Sequence, residues 1–464
     1  MTAATGSRKT LRWRRPRTQL NEHRLAFLDQ TALELRRVTG RNQLMQCLWV
    51  YEHPVDNAGL RRFHRNFYAS LAGRLVERSA LPFGRPRWVK PAGEPNPIVV
   101  FEKSRPRSEL LDWADELGQL PIDPELGPAC LLAVQPFDDG TTAVSVIASH
   151  VIGDGIGGML AIFEGITGSS RDPGYSAPGS RPLLPGVIAD VRQALRDLPL
   201  TLRTAVKAAT MVRDQRGALR QSGSGTGAGG EGGQVRVPSV VVFVEAAHWD
   251  ARASELDGNS YSLLAGVAAR LGAQLGRCRN SDGATTLSIA VNLRESLDDD
   301  RALAMAFASA SVDPTVVTTT LTETRTAVRA AREKAKNEPD PTIEMLALIP
   351  WLPAPAVRAV ADLLFSYSED LPISCSNLGD LPPDLAKIDG TPAEYVVIRG
   401  VDTNVTLGEL QRSHGQLVVA SGRINGTVSI SIEGYQLGAE NSKLRLRQVV
   451  ASTLQEFGIT GVIE

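Results

Sequence analysis

Apolar positions along this chain keep two rhythms, and the changes from one to the other mark its elements. Period-two or continuous apolar runs predict strands at 45–51, 98–101, 129–134, 143–149, 235–244, 286–291, 373–379, 417–421 and 427–432. Helical spacing predicts helices at 25–35, at 57–79 with Leu60, Phe63, Phe67, Leu71 and Leu75 on one face, and at 109–114. Further helical segments are predicted at 183–215 with an interruption at Pro199, at 261–275, at 319–337, at 342–366 with breaks at Pro350, Pro353 and Pro355, and at 441–457. Asp138-Asp139-Gly140 has hairpin chemistry, and residues 422–426 join the last two strands in the same way.

Strands and helices interleave in both halves, which predicts two α/β lobes of similar size with the favoured pocket position between them. Residues 221–233 are low in apolar side chains and rich in glycine and serine, the composition of a linker. The run lacks the Gly-Lys-Ser/Thr ending that a phosphate-cradling loop needs, and no strand leads into it. The expected organisation is a basic, disordered arm at 1–19, a first lobe at 20–182, a crossover helix and linker at 183–234, and a second lobe at 235–464.

One stretch carries the chemistry. Ala143, Val144, Val146 and Ile147 form a buried strand that stops at Ser149-His150. Glycines at 153, 155, 157 and 158 follow, and Met159–Phe163 begins an apolar helix. A strand end is a rigid platform for a reactive group, and the glycines let backbone bend sharply or come close to another group. The remaining histidines, His23, His53, His64, His248 and His414, show no ligand-like spacing. The run Asp298-Asp299-Asp300 follows a strand end and reads as a solvated loop, so no metal is expected.

Composition narrows the partners. The 464 residues hold 50 basic and 51 acidic side chains, so nucleic acid is not an expected partner. Four cysteines, Cys47, Cys130, Cys278 and Cys375, lie far apart without a C-x-x-C, which argues against a disulfide framework and against zinc. No apolar run approaches the length of a membrane span, and residues 1–19 lack the apolar core of a secretion signal. A cytoplasmic protein is expected. The basic arm, with Arg8, Lys9, Arg12, Arg14, Arg15 and Arg17, leaves peripheral contact with acidic lipid as a sharper alternative to a solvated tail.

His150-Val-Ile-Gly-Asp154-Gly155 resembles the H-x-x-x-D-G motif of acyltransferases with the chloramphenicol acetyltransferase-like fold. That superfamily includes peptide-synthetase condensation domains, polyketide-associated acyltransferases and wax ester synthase/diacylglycerol acyltransferases. Other segments agree in order: Leu25-Ala-Phe-Leu-Asp-Gln-Thr31, Ser288-Ile-Ala-Val-Asn-Leu-Arg294, Trp351–Leu364 followed by Ser376-Asn377-Leu378-Gly379, and the terminal hairpin near Gly426. Three departures stand beside them. Ser149 replaces the first of two histidines, Pro128-Ala129-Cys130 replaces Pro-Leu-Trp, and Tyr261-Ser262 replaces an Asn-Asp pair. The resemblance therefore implies the two-lobed fold and the role of the histidine, and leaves the family within the superfamily open.

Acyl transfer from a thioester needs a base for the acceptor proton, stabilisation of the carbonyl oxygen as it becomes anionic, and alignment of two substrates. A free imidazole, with a pKa of about 6.5, can take that proton near neutrality and return it to the departing thiolate. His150 is the candidate base, with no covalent intermediate. Asp154 is either a second acid/base group or, as the resemblance implies, a carboxylate turned away from substrate and paired with Arg294. Gly153 is assigned to turn geometry. Gly155 would let backbone N–H groups approach the oxyanion at a helix N-terminus. Ser376 and Asn377 are candidates for polar contacts between lobes, and Cys375 carries no mark of a nucleophile. The expected activity is transfer of an acyl group from acyl-CoA or an acyl-carrier protein to a hydroxyl of a lipid-like or specialised metabolite, with no cofactor. The rivals are an amide-forming, free-standing condensation enzyme and a non-catalytic scaffold that binds a carrier protein or lipid.

Overall fold

The computed structural model describes residues 23–91, 93–169, 171–214, 233–338, 345–353, 355–357 and 370–464. The arm at 1–19, residues 221–232 of the glycine run and most of the segment 342–366 lie outside the described residues.

The first lobe opens with helix α1 (Phe27–Thr39), strand β1 (Asn42–Tyr51) and helix α2 (Asn57–Ala69). Helix α2 ends ten residues before the apolar spacing predicts. Ser70 leaves the helical region (φ −82°, ψ −169°), and its hydroxyl caps a short turn at Leu71–Gly73 instead. Leu71 and Leu75 keep the rhythm because both still face the core, not because the helix continues. The short strands β2 (Leu75–Glu77) and β3 (Arg87–Val89) pair with each other, and β4 (Val99–Val100) is an edge strand. Helix α3 (Leu110–Leu117), the hairpin of β5 (Cys130–Pro136) and β6 (Thr142–Ser149), and helix α4 (Gly155–Thr167) complete the lobe.

Helix α5 (Leu183–Asp214) runs through Pro199 without a break. Proline removes one donor and crowds the carbonyl four residues back, a cost of about 3 kcal/mol. The inner face of α5 is anchored on both sides of that defect. Asp190 pairs with Arg24 and Arg181, Asp197 with Arg85, and Thr201 and Thr204 are buried with their hydroxyls donating to the carbonyls of Asp197 and Leu200.

The second half contributes β7 (Ser239–Glu245), α6 (Ala246–Glu255), α7 (Ser260–Gln274), β8 (Thr285–Asn292), β9 (Met305–Val312), α8 (Thr322–Asn337) and β10 (Ile373–Asp380). It ends with β11 (Tyr395–Thr403), α9 (Leu407–Arg412), the hairpin of β12 (Gln416–Ile424) and β13 (Thr427–Tyr435), α10 (Lys443–Glu456) and β14 (Val462–Ile463). Gly422 belongs to strand β12, not to the turn; the turn is Asn425-Gly426, both at positive φ, as a two-residue hairpin requires.

Two mixed sheets result. The first has strand order β11-β1-β6-β5-β4 and the second β14-β7-β13-β12-β10-β8-β9. Strand β11 crosses the expected boundary at 235: it belongs to the second half of the sequence and pairs antiparallel with β1 over Asn42↔Thr403 to Val50↔Tyr395. Strand β7 explains how the sheets meet. Val240, Val242 and Val244 enter the core of the second lobe, while Val241 and Phe243 pack with Leu44, Trp113, Val397 and Val401 of the first. A strand buried on both faces reads as a continuous apolar run, as β7 does. Among the described residues no helix is long and apolar enough to cross a membrane.

Candidate active site

The site is built from the end of β6 outward. Ser149 is fully buried, and its hydroxyl accepts the amide of Val151 at 3.4 Å, capping a single 3-10 turn at His150–Ile152. A residue with a short polar side chain thus occupies the place of the missing histidine and starts the turn that carries His150. The His150 imidazole is half-buried and has no hydrogen-bond partner among the described residues. It is a ring held by its backbone and left open on its nitrogens.

Helix α4 follows at once. Asp154 is its N-cap: Oδ1 accepts the amide of Gly157 at 2.8 Å, and the Asp154 carbonyl accepts that of Gly158 at 2.8 Å. The amides of Gly155 and Ile156, at the first two helical positions, have no intrahelical acceptor by helix geometry. Both residues are half-buried, and their amides form the donor end of α4, five and six residues after His150.

Asp154 is 4 % exposed and its other oxygen is committed to the second lobe. Oδ2 accepts Arg294 Nη1 at 3.1 Å and the amide of Ala304 at 2.9 Å, while the Asp154 amide donates to the Ala302 carbonyl at 3.0 Å. Arg294 adds bonds from Nη2 to the carbonyls of Arg301 and Ala302. Burial pushes the Arg294 guanidinium below its ordinary pKa, and Asp154 offsets part of that shift. Both oxygens are engaged, Oδ1 on the first turn of α4 and Oδ2 on the second lobe, so the carboxylate ties the start of α4 to that lobe.

Two residues that the sequence reading did not single out complete the support. Arg74 is 2 % exposed, donates from Nε and Nη2 to the Ile152 carbonyl at 3.1 and 2.7 Å, and from Nη1 to the Asp300 carbonyl at 2.6 Å and the Tyr175 hydroxyl at 3.0 Å. Its guanidinium lies over the Trp88 ring at 4.2 Å. Asp29, from α1, accepts the amides of Leu303 at 2.8 Å and Ala302 at 3.4 Å, and burial raises its pKa. A buried charge in a sequence gives no signal of its own; only the segment Leu25–Thr31, which contains Asp29, pointed near it.

The glycines divide differently from expectation. Gly153 has φ −178°, extended backbone open to any residue, and a Cβ there would meet nothing nearer than 3.9 Å. The turn therefore does not need glycine at 153. Gly157 does have a steric reason: a Cβ would lie 2.8 Å from Arg294 Nη2 and 3.3 Å from Asp154 Oδ1. At Gly155 a Cβ would lie 3.0 Å from Leu378 Cδ2, so the tip of β10 closes directly on the N-terminus of α4.

That tip carries Ser376 and Asn377. Both are half-buried; Asn377 Oδ1 accepts the Gly379 amide at 2.8 Å and shapes the turn, while Ser376 has no side-chain partner among the described residues. Cys375 is fully buried, with burial pushing its thiol up to about 12. Ser262 forms a reciprocal cap with Asn259 at the start of α7. Asp299 pairs with Arg301, and no metal-binding group of side chains occurs among the described residues.

No protein-family model and no curated protein matches the chain by sequence. Solved structures match it along nearly its whole length. The first condensation domain of the CDA synthetase is similar with a TM-score of 0.56 and 12 % identity, covering 95 % of this chain and 99 % of that one. Trichothecene 15-O-acetyltransferase TRI3 from Fusarium sporotrichioides gives 0.53 and 12 %, covering 94 % and 95 %. Polyketide synthase associated protein 5 from Mycobacterium tuberculosis gives 0.51 and 13 %, covering 93 % and 97 %. The chain is thus built on the two-lobed, chloramphenicol acetyltransferase-like fold that condensation domains share with such acetyltransferases.

Proposed function

We propose that this protein transfers an acyl group from a thioester, carried by CoA or by an acyl-carrier protein, to a hydroxyl acceptor in a channel between its lobes. One observation carries the reading: an unpartnered, half-buried histidine at a rigid strand end, followed five residues later by the N-terminus of α4. His150 would remove the acceptor's proton as its oxygen attacks the thioester carbonyl. The Gly155 and Ile156 amides would meet the oxygen that becomes anionic, and the proton would pass to the leaving thiolate. Asp154 and Arg294 would hold the turn without touching the reacting atoms. Ser376 is a candidate for contact with substrate from the second lobe; Asn377 is spent on its own turn.

An amine acceptor would use the same base, so the mass of the product, ester or amide, separates those two readings. Thiol release is measured with a panel of acyl-CoA and acyl-carrier thioesters, for the parent and for His150→Ala. Loss of a positioned base is expected to lower the rate by about 10²–10⁴-fold. Equal thiol release from both proteins, or none from either across the panel, counts for a binding scaffold and against an enzyme.

A further inference from the structure

We infer that α5 docks the protein onto an anionic lipid surface. Leu184, Ile188, Val191, Leu195, Leu198, Leu202 and Val206 are spaced four, three, four, three, four and four residues apart. At 3.6 residues per turn they fall within roughly 40° of one line and run about 33 Å along the helix. All are exposed, between 38 % and 71 %. A soluble face of this length is ordinarily polar.

The charge beside the stripe has one sign. Arg192, Arg196 and Arg203 are exposed along one flank and have no carboxylate partner among the described residues. The two acidic residues of α5 before its last turns, Asp190 and Asp197, are turned inward and paired with Arg24, Arg181 and Arg85. On the other flank, Trp351 is 41 % exposed, stacks on Phe83 at 4.9 Å, and shares a depression with Ala194 and Asp197. Aliphatic stripe, cationic flank and an aromatic ring at the margin are the parts of an interfacial helix.

Protein partners fit less well. Protein interfaces concentrate their energy in Trp, Tyr and Arg anchors seated in pockets, with leucine under-represented. This surface is a long convex row of leucine, isoleucine and valine. The inference stands independently of the acyl-transfer reading, since it uses none of the residues of that site.

The test uses the full chain and vesicles of phosphatidylcholine with roughly one-third phosphatidylglycerol, against phosphatidylcholine alone. Partition is measured by flotation for the parent, for Val191→Ser/Leu195→Ser/Leu202→Ser and for Arg192→Gln/Arg196→Gln/Arg203→Gln. Because these side chains are exposed, melting temperatures are expected to stay with the parent. Binding to anionic vesicles is expected, falling by about tenfold or more in either variant, with added salt weakening the parent. No binding by the parent overturns the inference, as does equal binding by the serine variant, which would assign the contact to another surface such as the basic arm. Sedimentation velocity supplies two further outcomes against it: a parent dimer that the serine variant makes monomeric, or capture of a purified acyl-carrier protein through α5 with vesicles ignored.

Discussion

Asp29 and Asp154 grip consecutive amides of one second-lobe segment: Asp29 takes Ala302 and Leu303, and Asp154 takes Ala304. The two carboxylates come from α1 and from the start of α4, so the His150 turn is tied to the second lobe at its exit. The clasp ties the loop between β8 and β9 to α1 and to the start of α4.

The Asp154–Arg294 pair is buried on both sides, with side chains 5 % and 4 % exposed. Removing one partner of such a pair costs about 3–5 kcal/mol, because the other is left charged and unpaired. Asp154→Asn and Arg294→Ala are each expected to lower stability by that order, and the double variant by less than the sum. Chemical denaturation of the three variants checks it; additive losses would show that the two residues act apart.

Arg74 is a positioning residue for the turn. Arg74→Lys keeps a charge but cannot reach both the Ile152 and Asp300 carbonyls with a planar fork. If the proposed reaction holds, kcat is expected to fall while KM for the thioester stays within about threefold, since the base moves and the donor site does not. A change confined to KM would place Arg74 at donor binding instead. Each carbonyl left without its donor is worth about 1–3 kcal/mol, so a lower melting temperature is expected as well.

Gly153→Ala and Gly157→Ala separate open space from close approach. Alanine gains about 1 kcal/mol over glycine inside a helix, yet at 157 its Cβ would press on a guanidinium locked by three bonds. Gly157→Ala is expected to be net destabilising and Gly153→Ala close to neutral. Thermal melts decide the matter, and a stabilised Gly157→Ala would show that Arg294 yields.

Glu433, on β13 and 6 % exposed, has its pKa raised to about 8 by burial, against the pull of Arg399 and with Asp402 and Asp115 reinforcing the shift. The folded protein then holds a proton that the unfolded chain releases. Its contribution is full below an ordinary glutamic pKa of about 4.5 and is lost as the pH rises through about 8. The parent is expected to lose more stability than Glu433→Gln between those limits. Superimposed pH profiles would show the carboxylate already ionised beside Arg399.

Much of the site was legible from local signals. The strand into His150, the glycine turn and the helix after it depend on periodicity and turn chemistry within a few residues. The hairpins at Asp139-Gly140 and Asn425-Gly426 were legible for the same reason. Strand β9 was not: its buried positions are Ala306, Ala308, Ala310 and Val312, too small to raise an apolar alternation above serine and methionine. Strand β11 was hidden by Arg399, a charge at a buried position that pairs with Asp115.

The sequence by itself determined which segments could be strands or helices, and that one histidine would stand at a strand end before a glycine turn. Tertiary structure decided the rest: that β11 closes the first sheet, that α2 stops at Ser70, that glycine is needed at 157 and not at 153, and that Arg74 and Asp29 hold the turn. The reason is range. Arg74 meets its carbonyl acceptors 78 and 226 residues away and Asp29 its amide 274 residues away. Such partners leave no pattern in their own neighbourhoods, because burial and hydrogen bonding select them only after both lobes have come together.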